Sequence, residues 1–300
     1  MLSFRKGTPV AVVCTGSDEG KKIFIAPDDG APEQSYDPEA VLDIAPSKTR
    51  VMSVAERMNI RRYLSSDPPE EAAMSAHIAK LKRELAVKNR YEYFSEDGML
   101  CVYPSKQSER VYVAGKSGAG KSTFTAQYIR EYQEMFPDRR VVLFSTHDDE
   151  KAYKKLNIVQ VELDEEFLES PPTLDELAEC LVVFDDTDNL QDKQLQQAIN
   201  GVNADLLANG RKYNIHVITL AHQLMDYSRS RTLLNEANRV VFFNGGSAYH
   251  IQRYMKVYAG LEPKQIRRIL NSKSRWTCLG LTLPNYVINE HEVYIIRPGS

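Results

Sequence analysis

A chain of 300 residues with 26% charged and 42% hydrophobic side chains and a formal net charge of −3 has the balance of an ordinary globular protein, with material for one large or two modest domains. That charge excludes an overall basic field of the kind that coats nucleic acid or membrane, while leaving room for a local basic surface. No apolar run approaches the ~18 residues of a membrane span, and MLSFRKGTPVAVV lacks the apolar core of a signal peptide, so a soluble, intracellular, reduced protein is expected.

In chain order, PVAVVCT and KKIFIAP read as two short strands around the turn GSDEG, followed by a loop with Pro27, Pro32, Pro38 and Pro46. Two helices are expected over 52–64 and 69–90. In the second, Met74, Ile78, Leu81 and Leu85 fall at 4-3-4 spacing, one apolar stripe for docking on its own domain and too short for a coiled coil. Residues 1–97 thus form an α+β extension. Cys14, Cys101, Cys180 and Cys278 form no C-x-x-C, and three sit in apolar runs (AVVC, MLCVY, TCLGL), where a small buried hydrophobe is expected in preference to a disulfide or a zinc ligand.

From residue 98 strands and helices alternate. The apolar runs VYVA (111–114), VVLFST (141–146), LVVFDD (181–186), HVITLA (216–221) and VVFF (240–243) are separated by helical stretches at 121–135, about 173–180, 190–209, 230–238 and 247–258. Continuous β-branched runs joined by helices predict a mostly parallel sheet covered on both faces. After a short basic helix, EPKQIRRIL, the strands RWTCLGLTL and YVINEHEVYII turn at Pro284-Asn285. The expected division is 1–97, a core over 98–260, and 261–300 as a basic helix and C-terminal β-hairpin on that core.

VYVAGKSGAGKST fits G-x-x-x-x-G-K-[ST] from Gly115 to Ser122, with a strand before it and a helix after it. Gly115, Gly118 and Gly120 let the loop curl so that the N–H groups of Gly115, Lys116, Ser117, Gly118, Ala119, Gly120, Lys121, Ser122 and Thr123 can surround phosphate, aided by the helix N-terminus. Lys121 should reach the β- and γ-phosphates of ATP, and the Ser122 hydroxyl should sit on Mg²⁺. LVVFDDTD carries two acids at a strand's C-terminal end, where open α/β sheets bind ligands. Asp185 is expected to hold Mg²⁺ through its water shell. Asp186 is expected to act as general base on the attacking water, or else to cap a helix. VITLAHQ ends on His222 and Gln223. In P-loop ATPases of the additional-strand class a strand inserts between the P-loop strand and the acidic strand, and its terminal polar residue faces the γ-phosphate. Gln223, whose amide can donate and accept together, is the first choice for that role and His222 the second. The fold class is therefore α/β, a P-loop NTPase of the additional-strand class.

No N-K-x-D, no LSGGQ-like signature and no Arg-rich lid is present, which leaves an ATPase with its own base and sensor. The P-loop strand, VVLFST, VVFDDTDN, a long helix, NGRKYNIHVITLAHQ (with Arg211, Ile215, Ile218 and Gln223 spaced R-x-x-x-I-x-x-I-x-x-x-x-Q) and NEANRVVFF together resemble the FtsK–HerA superfamily, and within it the poxvirus-type genome-packaging ATPases of large DNA viruses. The likeness covers about residues 108–245. It implies a DNA-stimulated ATPase working as an oligomeric ring on double-stranded DNA, located in host cytoplasm or at the virion assembly site. It also implies an arginine finger, for which Arg229, Arg231 and Arg239 are candidates, Arg231 ahead, with Lys116 as a cation in cis. Lys264, Arg267, Arg268, Lys273 and Arg275 are candidates for DNA phosphate contact, Arg211 and Lys212 a second group. Two other readings stay open. One is a nucleotide-dependent switch acting on a protein partner through residues 1–97; the other is phosphoryl transfer to a small molecule, which Asp186 and Gln223 disfavour.

Overall fold

The computed structural model describes residues 1–26, 91–95, 97–146, 151–188, 190–225, 230–282 and 284–297, the side chains of Ser230 and Arg231 excepted. The helices expected over 52–64 and 69–90, the stripe from Met74 to Leu85 and the loop from Pro27 to Pro46 lie outside the described residues. The chain divides into two compact units, Met1–Leu100 with His291–Ile295, and Cys101–Glu290 with Ile296–Ser300.

In the first unit β1 (Leu2–Ser3), β2 (Thr8–Val13) and β3 (Lys22–Ile25) form an antiparallel sheet with β3 between the other two, so the turn GSDEG makes the expected hairpin. Val10–Val13 are continuously buried. The strand β4 (Glu92–Phe94) pairs antiparallel with the returning segment Glu292–Ile295. Residues 291–295 thus belong with the N-terminal unit. β5 (Leu100–Val102) begins at the division.

The second unit runs β6 (Arg110–Ala114), α1 (Lys121–Met135), β7 (Val141–Ser145), β8 (Val159–Val161), α2 (Glu165–Glu169), β9 (Leu181–Asp185), α3 (Lys193–Asn209), β10 (His216–Ala221), α4 (Ser230–Glu236), β11 (Arg239–Phe243), α5 (Ala248–Val257), α6 (Pro263–Leu270), β12 (Trp276–Gly280) and β13 (Tyr286–Asn289). Its strands lie in the order β13-β12-β11-β6-β10-β9-β7-β8. Pairing is parallel from β11 to β8 and antiparallel at β11–β12 and β12–β13. The parallel strands other than the edge strand β8 are buried on both faces, as their apolar runs require. On one face Val142, Phe144, Val182, Phe184 and Val217 meet Ile199, Leu206 and Leu207 of α3, and the Phe144 and Phe184 rings stack at 5.1 Å. Burying each such side chain stabilises the fold by about 2 kcal/mol.

The expected division at 260/261 has no counterpart, because β12 and β13 continue the core sheet through β11. YVINEHEVYII, expected as one strand, is two: β13 ends at Asn289 and the last strand, β14 (Glu292–Ile295), starts after Glu290 and His291. The Glu290 carboxylate there accepts hydrogen bonds from Arg275 N and Nε, both at 2.6 Å, which fixes a break. The helix expected over 173–180 is a run of turns. Thr173 and Glu176 bond to each other as at a helix start, but Glu179 adopts φ 57 and turns the chain into β9. The short β8 and α2 are additions to the expected elements, being too brief to carry periodicity. Cys180 and Cys278 are free and buried, Cys278 as its apolar run predicts. Cys14 and Cys101 are each disulfide-bonded, which corrects the expectation for that pair; both are half-buried, and apolar neighbours in sequence do not distinguish a thiol from a half-cystine.

His216 opens β10 with 0% exposure. Its ring lies 5.1 Å from Tyr132 and 5.8 Å from Phe136, and among the described residues neither ring nitrogen has a hydrogen-bond partner. Burial first, then the charges of Arg139 and Arg239, push its pKa down from 6.5 to about 4 against the pull of Glu109. The unfolded chain takes up this proton near the ordinary value and the folded chain only near pH 4. Stability is thus complete above about pH 6.5 and declines as pH falls toward about 4. At ~1.4 kcal/mol per unit the loss approaches about 3 kcal/mol. His216→Leu should lose less stability than the parent chain between about pH 7 and pH 4.5, read as denaturation midpoints. Equal losses would assign the acid sensitivity to other groups.

Candidate functional site

The loop between β6 and α1 is built by its glycines for two different reasons. Gly118 and Gly120 have φ of 72° and 103°, conformations that favour glycine. Gly115 is needed for close approach instead: a Cβ there would stand 2.9 Å from the Phe243 ring. Gly115 N donates to Ala221 O at 3.0 Å, which ties the loop to the end of β10. Gly120 caps α1 without any side-chain hydrogen bond, which leaves the N–H groups of the first turn to a ligand. Lys121 is buried, its Nζ donating to Gly115 O at 2.9 Å. Lys116, Ser117 and Thr123 are exposed and Ala119 is half-buried, and the Lys116 side chain lies close to Gly245 beyond β11.

β9 ends on Asp185, buried at 4% exposure. Its Oδ2 accepts the Tyr153 hydroxyl at 2.6 Å, and the Ser122 hydroxyl also bonds to the carboxylate. Burial raises the Asp185 pKa; Tyr153, Lys121 and Ser122 oppose it and the charge of Asp186 adds to it. Asp186 has φ 52, a left-handed conformation rare outside glycine but tolerated by aspartate. Adjacent acids on an extended strand already point apart; the left-handed turn re-aims Asp186 so that its Oδ1 lies 3.2 Å from His222 Nε2.

β10 runs between β6 and β9, with Ala221 beside Ala114 and Thr219 beside Phe184, as expected of an additional strand. The residue it turns toward Asp186 is His222. The His222 N–H donates to Asp188 Oδ2 at 3.3 Å, and its Nε2 is 3.9 Å from Asp188 Oδ1, so the imidazole is set among two carboxylates. Gln223 is exposed, and its backbone carbonyl accepts the Tyr112 hydroxyl at 2.7 Å. Geometry thus sets His222 beside Asp186.

Among the arginine candidates, Arg229 and the side chain of Arg231, on the first turn of α4, lie outside the described residues. Arg239 is 2% exposed. Its Nε lies 3.1 Å from Glu109 Oε2 and 3.0 Å from the Tyr286 hydroxyl, and its Nη1 donates to Tyr103 O at 2.7 Å. A guanidinium held this way cannot reach into a neighbouring subunit, and Arg239 is withdrawn as a finger.

α6 opens on a capping box in which Gln265 Oε1 accepts Glu262 N–H at 3.0 Å, with Pro263 in the first turn. Ile266 and Ile269 are buried, while Lys264, Arg267 and Arg268 are exposed, and exposed Lys273 follows three residues past the helix. Arg275 is exposed yet paired with Glu290 at 2.6 Å, which offsets its charge. Residues 244–289 carry seven lysines and arginines against one acid, Glu262. Two of these, Arg253 and Lys256 on α5, escape the sequence reading although i, i+3 spacing places them on one face. Arg211 and Lys212 are exposed in a 3₁₀ turn before β10, at the end of that strand away from Asp186.

No protein-family model matches the chain. It is 34% identical over 207 residues to uncharacterized protein V3 of the Sputnik virophage, covering 68% of this chain and 84% of that protein. Among solved structures, the genome packaging NTPase B204 of Sulfolobus turreted icosahedral virus 2, in complex with ATPγS, is similar over 64% of this chain and 97% of its own, with 12% identity and a TM-score of 0.42. The pCW3 conjugation coupling protein TcpA is similar over 61% of this chain and 60% of its own, with 14% identity and a TM-score of 0.44.

Proposed function

The chain belongs to the family of the Sputnik virophage protein V3, and from that premise and the geometry of its P-loop we propose that it is an ATP-hydrolysing motor of the FtsK–HerA type, moving double-stranded DNA as in viral genome packaging. The observation that carries the hydrolytic part is the position of Asp186 beside His222, one residue past Asp185 at the end of β9. A carboxylate one residue past Asp185 suits water as the nucleophile.

Lys121, on leaving Gly115 O, reaches the β- and γ-phosphates, with backbone N–H groups from Gly115 to Thr123 around them. Ser122 and Asp185 would hold Mg²⁺. Two hard oxygen donors bonded to each other suit that ion. Bound there, Mg²⁺ would offset phosphate charge. Asp186 takes the proton of the attacking water while His222 holds the carboxylate's Oδ1, and Arg231 of a neighbouring subunit is the finger of a ring. The exposed bases Lys256 of α5 and Lys264, Arg267 and Arg268 of α6 support contact with DNA phosphates independent of sequence.

Steady-state ATP hydrolysis measured with and without long duplex DNA at two salt concentrations tests this reading. Stimulation of several-fold that fades with salt is the expected outcome. A slow rate indifferent to DNA would transfer the assignment to a switch that acts on a protein partner.

A further inference from the structure

The Asp185 carboxylate has a partner that neither the P-loop nor its own strand supplies. Tyr153 comes from the turns at 151–156, between β7 and β8, and meets an acid 32 residues away in sequence at 2.6 Å. Tyr153 is 7% exposed and Asp185 4%. The contact is thus dry, and its length is that of a charge-assisted O–H···O⁻ bond.

A buried aspartate needs such an anchor. Its χ2 torsion is broad, Asp186 beside it repels it, and burial disfavours its ionised form. A hydroxyl on Oδ2 fixes the carboxylate plane, and the acid retains acceptor sites for Ser122 and for metal-bound water. Other side chains near the site are turned elsewhere, Lys121 to Gly115 O and His222 to Asp186. We infer that Tyr153 is a positioning residue of the nucleotide site, whose hydroxyl orients Asp185 for the divalent cation bound with the nucleotide. The inference rests on the reading of Ser122 and Asp185 as the cation's protein ligands.

Outer-sphere partners of this kind set metal affinity by about 10- to 100-fold. Tyr153→Phe removes the hydroxyl and keeps the ring that packs there. The test is a titration of the full-length protein bound to mant-ATP with MgCl₂, followed by mant fluorescence, beside a binding curve for mant-ATP in EDTA. The variant should need about tenfold more Mg²⁺ at the midpoint, with its metal-free affinity for mant-ATP unchanged. An unchanged midpoint overturns the inference. Loss of metal-free binding together with the midpoint overturns it as well, since that pattern belongs to general packing. If the parent protein itself shows no Mg²⁺-dependent step, the ligand assignment of Ser122 and Asp185 fails and the role of Tyr153 falls with it, an outcome separable from the other two.

Discussion

Asp186→Asn should bind ATP and Mg²⁺ as the parent does and hydrolyse ATP about 10²- to 10⁴-fold more slowly, the range general-base catalysis contributes. The substitution isolates proton transfer for structural reasons. Asparagine tolerates the left-handed φ of 52 nearly as well as aspartate, so the turn after β9 is not strained. An amide also has the shape to remain 3.2 Å from His222 Nε2 with its oxygen. What it cannot do is accept a proton from water. Asp185, Ser122 and Lys121 keep their contacts, and mant-ATP affinity should stay within about twofold. Lys121→Ala gives the opposite profile, with nucleotide affinity itself lost. Normal turnover by Asp186→Asn would leave residue 186 as a turn former with no part in the chemistry.

The parts of this site that are legible in the sequence are those whose partners are close in sequence or imposed by strand order. The P-loop reads directly, because glycines at fixed offsets and a lysine before a hydroxyl have one common geometry, and β10 reads as a buried strand because HVITLA is unbroken. The choice between His222 and Gln223 does not read, because successive side chains past a strand end point to opposite sides and one residue of difference in the strand's end reverses them. Gln223 offers better hydrogen-bonding chemistry; the contact with Asp188 sets His222 beside Asp186. Tyr153 sits in KAYKKL, where an aromatic among lysines suggests only a surface turn, and its partner is set by the adjacency of β7 and β9. The helix expected at 173–180 is absent for a related reason. Leu174, Leu177 and Thr173 with Glu176 carry a helix start, but the carbonyl of Tyr213, more than thirty residues on, takes the Glu179 N–H and ends it.

Arg239 has the sequence setting of an exposed arginine before a strand, and its burial gives the second large effect. Burial alone would lower the guanidinium's pKa, and Glu109 with Tyr286 and Tyr128 more than reverses this, so the group is held charged. Glu109 in turn accepts Ser105 N–H at 2.8 Å and the Tyr128 hydroxyl. The network thus joins the residue before β6 to α1, β11 and β13, and β6 and α1 are the elements that flank the P-loop. Arg239→Met leaves the Glu109 carboxylate buried without its cation, and destabilisation of about 3–5 kcal/mol is expected, read from urea midpoints. Adding Glu109→Gln removes the stranded charge while keeping an acceptor for Ser105 and Tyr128, so the double variant should be more stable than Arg239→Met alone. A finger would behave in another way. Its loss would leave the urea midpoint where it was and stop turnover, and active subunits mixed with the variant would supply the missing arginine in trans. Because Arg239 is enclosed by its own chain, its loss should lower activity only in proportion to the protein unfolded, and mixing should restore nothing.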